Sequence, residues 1–227
     1  MVGRASGAAR RRRKPTMSPL VRRWVAWTIA GEMAGFGAPA VVGVLTAGSP
    51  TRVALPALVS AGAVEGLLLG AAQAHVLSSA LPGLDVRRFA LLTAGAASLA
   101  YLVGMLPSST GWAGTDAPTA LLVAAAVVGG IVLLGSLGTA QWLELRRHVT
   151  RGWTWILTTA GAWLVGLAVF MLVATPLWRP GQGVALAVLV GLVAALGMAT
   201  TVAVLTGRAA QRLVDRAVVP RPGARLG

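Results

Sequence analysis

Apolar residues run along this chain in six long blocks, and polar residues collect in the gaps between them. The blocks cover residues 24–46, 53–77, 89–106, 119–143, 153–176 and 184–206. Each is near the length of about 20 residues that an α-helix needs to cross a hydrocarbon core. The gaps read GSPTR, LPGLDVRR, PSSTGWAGTDAP, ELRRHVTRG and LWRPGQG. Connections this short make neighbouring helices antiparallel. The pattern predicts an all-α integral membrane protein, a bundle of six transmembrane helices arranged as hairpins. Residues 1–23 read as a disordered basic tail, 24–207 as the transmembrane domain and 208–227 as a second basic tail.

Composition strengthens this reading, because 56% of the 227 residues are hydrophobic and 11% are charged, against roughly 25% charged in an ordinary soluble domain. The net charge of +14 brings nucleic acid to mind until the cations are placed. Eighteen fall in the amino-terminal segment, the second and fourth gaps and the carboxy-terminal tail, leaving Arg52 and Arg179 on the other side. That asymmetry predicts both termini in the cytoplasm of a bacterial plasma membrane. The tryptophans agree, with Trp24, Trp27, Trp142, Trp153 and Trp155 at the same ends as the arginines, Trp112 and Trp178 at the opposite interface, and Trp163 deep.

The basic head, with its RRRRK run, is expected to lie against anionic lipid headgroups, and no nucleic-acid partner is expected. In the tail, Arg208, Arg212 and Arg216 stand at helical spacing, as in a solvated helical extension or an interfacial helix. Arg22, Arg23, Ala38 and Ala40 mimic a twin-arginine signal with a cleavage site, but the length of the span and Glu32 within it favour a retained helix. A homo-oligomer or a membrane partner protein is left open.

Self-comparison finds an internal repeat: GAAQAHVL from Gly70 matches GTAQWLEL from Gly138, and TAGA from Thr93 matches TAGA from Thr159. Gln73 then corresponds to Gln141. A third copy would pair the sixth helix with the first, with Thr200 of GMATTVAV at the glutamine position and Trp24 and Thr28 echoing Phe89 and Thr93. The copies would be parallel rather than inverted. Helix-packing positions are expected at Gly31, Gly35 and Gly43 in the first span and at Gly62, Gly66 and Gly70 in the second, since small stripes let helices approach closely in lipid. Gln73 and Gln141 read either as a polar layer joining the hairpins or as polar lining of a ligand site.

Glu32 and Glu65 are the exceptional residues, because each falls inside an apolar span, beside a glycine stripe and at similar calculated depth. No lysine, arginine or histidine lies at that depth in any span. Two carboxyls in a low-dielectric bundle cannot both ionise cheaply, so they are neutral, share a proton, are hydrated or hold a cation. A carrier, a cation path, recognition of an amine or hydroxyl, and purely structural hydrogen bonding all remain open. Pro39, four residues beyond Gly35, releases the carbonyl of that glycine and is expected to bend the first helix.

The candidate ligand- or ion-binding set is therefore Glu32, Glu65, Gln73 and Gln141, with no catalytic residues, no metal ligands and no cofactor assigned. Cysteine is absent, which removes disulfides, thiolate metal sites and a thiol nucleophile. His75 and His148 fall near the basic ends of helices and read as interfacial rather than haem-binding. No constellation argues for an enzyme, and LGSLGTAQ departs from a serine elbow in both sequence and context.

The stretches EGLLLGAAQAHVL, DVRRFALLTAGA, YLVGMLPSS and AGEMAGFGAPA resemble those of a set of uncharacterised small multipass inner-membrane proteins from GC-rich bacteria. The resemblance covers most of residues 24–207, with His75 and Ser78 as departures. It implies the six-helix fold and brings no activity with it. The functional expectation is binding or transport of a small solute or cation through the glutamate pair, the alternative being a noncatalytic membrane interaction or assembly protein with structural glutamates.

Overall fold

The computed structural model describes residues 17–111, 116–179 and 181–217. Six helices follow in order: α1 (Pro19–Thr46), α2 (Thr51–Ser78), α3 (Val86–Ser109), α4 (Thr119–Leu145), α5 (Thr154–Leu177) and α6 (Val184–Asp215). All six are long and apolar enough to cross a membrane, so the chain is a multipass membrane protein. The expected disorder of the basic head and the position of Trp112 concern residues outside the described ones, as does the tail beyond residue 217.

The helices overrun the expected spans chiefly at the arginine-rich end. Ser18 caps α1 by accepting from the Val21 N–H at 3.2 Å, with Pro19 in the first turn, so residues 19–23 belong to the helix and not to the tail. Pro is favoured there because it has no N–H to leave unsatisfied. Asp85 caps α3 in the same way, accepting from the Arg88 N–H at 2.9 Å. α6 continues through Arg208 and Arg212 to Asp215, so the start of the expected tail is helical as well. α1 also runs unbroken past Pro39.

Each helix packs on its neighbours in sequence, and α6 returns to α1, which closes the bundle into a ring. Because neighbours are antiparallel, the start of α1, α3 and α5 and the finish of α2, α4 and α6 share one end, here termed the basic end. Glycines set the spacing. A β-carbon at Gly31 would stand 2.6 Å from Ala72 Cβ, and one at Gly35 would stand 2.9 Å from Glu65 Cα. Gly66 and Gly70 receive α3 in the same fashion, against Ala97 Cβ at 2.5 Å and Thr93 Cβ at 2.7 Å. These stripes bring backbones into direct contact, which is how helices associate where lipid offers no hydrophobic drive. Gly31, Gly35, Gly62, Gly66 and Gly70 pack closely, whereas Gly43, also expected to pack, makes only a distant contact with Leu58, because α1 and α2 are less closely packed there, and Gly37 has nothing near it.

Core packing is uneven along the bundle axis. The largest buried cluster lies at the basic end and includes Trp24, Leu77, Leu81, Phe89, Leu145, Trp155 and Leu213. In α4 every buried residue falls within the last nine positions, from Leu137 to Leu145. Toward the other end, large apolar side chains such as Val127, Ile131, Leu172 and Leu189 are exposed, as suits a surface against lipid.

Candidate functional site

Three layers of side chains rise along the ring axis from the basic end. The first is aromatic: Trp24, Phe89 and Trp155, from the starts of α1, α3 and α5, are fully buried, and the two indoles meet edge to face with centroids 5.7 Å apart. Four residues further along each helix stands a buried threonine, Thr28, Thr93 and Thr159. One more turn brings Glu32, Ala97 and Trp163, all of which line a central cavity.

The even helices complete the lower layers with hydrogen bonds. The Trp155 indole donates to Gln141 Oε1 at 2.8 Å, and Gln141 Nε2 donates to Gln73 Oε1 at 2.8 Å and to Thr93 Oγ1 at 3.3 Å. On the opposite side the Trp24 indole donates to Thr206 Oγ1 at 3.0 Å. A buried indole N–H requires such a partner, and Phe89, lacking one, leaves Gln73 to pair with the other glutamine. Gln73 and Gln141 are therefore engaged with each other and do not line the cavity, which corrects their expected place in a ligand site. The expected register of α6 is corrected too: Thr200 is exposed and bonds its own helix at Leu196 O, and Thr206, six residues on, takes the position opposite Trp24.

The cavity has a volume of about 330 Å³ and receives side chains from all six helices. Its polar side chains are Glu32, Glu65 and Tyr101, and the rest of the wall is mostly aliphatic or aromatic, including Phe36, Leu133, Leu137, Trp163, Phe170 and Met198. Glu32 lies thirteen residues from Pro19, and Glu65 lies thirteen from Ser78, so both stand about 20 Å from the basic ends of their helices at 1.5 Å per residue. The matching height expected from the sequence is thus present. Gly35 sits directly on the Glu65 backbone, and this contact brings the two carboxyls near enough to interact.

Their surroundings differ. The Tyr101 hydroxyl donates to Glu65 Oε2 at 2.6 Å. Its ring lies flat on Gly62, where a β-carbon would come within 2.7 Å of Cγ. Glu32 is 2% exposed, and neither of its oxygens has a hydrogen-bond partner of good geometry. Thr28 Oγ1, one turn nearer the basic end, and Thr159 Oγ1 are likewise buried without a partner. Among the described residues no cation pairs with either cavity carboxyl. Tyr101 went unmarked in the sequence reading, where a lone phenol in an apolar span looks like bulk.

A third buried carboxylate was also missed. Glu144, 1% exposed at the foot of α4, accepts from the Asp85 N–H at 3.2 Å and meets His148 at 3.0 Å, Arg88 at 3.5 Å and Arg147 at 3.8 Å. It clasps the starts of α3 and of the α4–α5 connection. His148 is thus a hydrogen-bond partner of Glu144, and His75 packs against Trp27 with centroids 4.6 Å apart and the rings tilted by 54°. No group of three or more potential metal ligands occurs among the described residues. No protein-family model matches the chain, and no curated protein or solved structure is significantly similar to it, so the functional reading rests on geometry.

Proposed function

We propose that this protein binds, and moves across the membrane, a small solute or cation held at the Glu32–Glu65 pair. One observation carries the reading: a buried carboxyl with no hydrogen-bond partner of good geometry, and only a second carboxyl beside it, faces a cavity to which every helix contributes. A polar group left unpaired in a low-dielectric interior costs several kcal/mol, and a purely structural glutamate would be expected to have found a partner, as Glu65 and Glu144 have.

The setting we propose is the plasma membrane of a bacterium, both termini cytoplasmic, with the basic end inside and its arginines on anionic headgroups. The positional equivalence of Trp24, Phe89 and Trp155, and of Gln73, Gln141 and Thr206, supports a ring of three related hairpins. In that ring the glutamates occupy one pair of helices only. Eight residues before Gln141 and Thr206 stand Leu133 and Met198, where α2 has Glu65, so one wedge of an otherwise apolar cavity has become acidic.

Glu32→Gln and Glu65→Gln test this, because glutamine keeps hydrogen bonding and abolishes ionisation. In reconstituted vesicles the parent protein is expected to carry solute or cation flux that falls at least tenfold in either variant. Absence of flux in the parent, or equal flux in all three, ends the transport reading. The Tyr101–Glu65 bond favours a second reading, a noncatalytic assembly protein whose glutamates pack helices. A large loss of thermal stability in both variants, with no solute response, would establish that one instead.

A further inference from the structure

Resting on the binding reading above, the chemistry of the cavity narrows the ligand. We infer that the site takes an amphiphilic organic cation, one ammonium group on an apolar body the size of a single ring with a short chain, rather than a metal ion or a neutral solute.

Four features of the cavity lead there. Inorganic cations need many oxygens, about six to eight for Ca²⁺ and a near-octahedral set for Mg²⁺. Here the walls offer two carboxyls and a phenol already committed to one of them. A volume of about 330 Å³ lies in the range of pockets for small organic molecules, and its apolar surface suits hydrocarbon rather than a hydration shell. The acidic groups are placed on one side: Glu32 and Glu65 project from α1 and α2, while α5 and α6 contribute Trp163, Leu167 and Met198. A molecule with a cationic head and an apolar body fits that division. Finally, Phe36 lines the cavity from α1, the helix that carries Glu32, and a desolvated cation gains from a nearby aromatic ring. An anion would meet the carboxyls unaided, and a neutral solute could give Glu32 a hydrogen bond but no countercharge.

The experiment is equilibrium dialysis of the full chain in detergent against phenethylamine, against 2-phenylethanol, which carries the same body with a hydroxyl head, and against sodium. Phenethylamine is expected to bind saturably and at least tenfold more tightly than the alcohol. Glu32→Gln should remove that preference. If Glu32→Gln does not fold, Leu167→Trp fills the cavity from α5 without touching the carboxyls and should abolish amine binding. Equal binding of amine and alcohol overturns the cationic head while the cavity remains a binding site. Saturable sodium binding that depends on Glu32, with none of the amine, overturns the inference and leaves the proposed function standing. Binding of none of the three overturns both.

Discussion

Between the basic end and the far end of the bundle the same six helices change in construction. Near the basic end, backbones touch through Gly70 and Gly138, indoles are satisfied by Gln141 and Thr206, and Glu144 is clasped by Arg88, Arg147 and His148. One turn beyond the threonine layer, α1, α2 and α3 stay in close contact through Gly35, Gly62 and Gly66, but the ring opens into a cavity with a carboxyl that lacks a partner of good geometry, and α4 buries no further residue. Both halves are apolar enough for lipid, so hydrophobicity does not distinguish them. The difference lies in how the acids and indoles are held. A half whose indoles and whose one buried acid, Glu144, have partners holds the ring shut even though the Thr28 and Thr159 hydroxyls there lack them, and a half with an unmatched acid is arranged to receive something.

The largest effect that should break this contrast is steric. Gly70→Leu inserts a side chain where even a β-carbon would be 2.9 Å from Ala90 Cα, and the expected cost is about 3 kcal/mol or more, seen as loss of folded protein in detergent. Gln141→Leu comes next, because it strands the Trp155 indole and Gln73 together, at about 1–3 kcal/mol, read as a lowered Tm. Tyr101→Phe, in the cavity half, removes one interhelical bond of a kind worth about 0.6 kcal/mol on average and at most about 1.7, so the melting shift should be the smaller of the two. Gly130→Leu, with nothing within 4 Å of its β-carbon position, should change stability by less than about 0.5 kcal/mol. If Gly130→Leu proves as damaging as Gly70→Leu, the two halves are not built as differently as described.

Most of the fold was legible in the sequence because a lipid-soluble helix must be apolar for about 20 residues, and its interruptions are conspicuous. Every expected span became a helix, and Glu32 and Glu65 stood out for the same reason. Helix ends moved at the basic end, where Ser18 and Asp85 cap beyond the last apolar residue and where α6 continues because its inner face still buries Ala209, Ala210 and Leu213. Glu144 was hidden by company: next to two arginines and a histidine it read as loop, although the helix runs on to Leu145. The register of α6 was misjudged because GMATTVAV matches locally, whereas the deciding signal is the partner that the Trp24 indole needs, and only packing reveals which threonine supplies it. Gln73 and Gln141 were correctly seen as one layer, but sequence alone could not say that they would satisfy each other.

The length of α6 has one more consequence. Its 32 residues extend about 48 Å, well beyond a hydrocarbon core of about 30 Å, and its last turns share a cluster with Leu81, Leu84 and Val149 from the connections, at the level of Arg88 and Glu144. An overhang of that length puts the cap outside a hydrocarbon core, so unlike the rest of the molecule it should be held by the ordinary aqueous hydrophobic effect. Urea should therefore loosen the cap first, in a step with its own heat-capacity change, while the membrane-embedded ring persists beneath it.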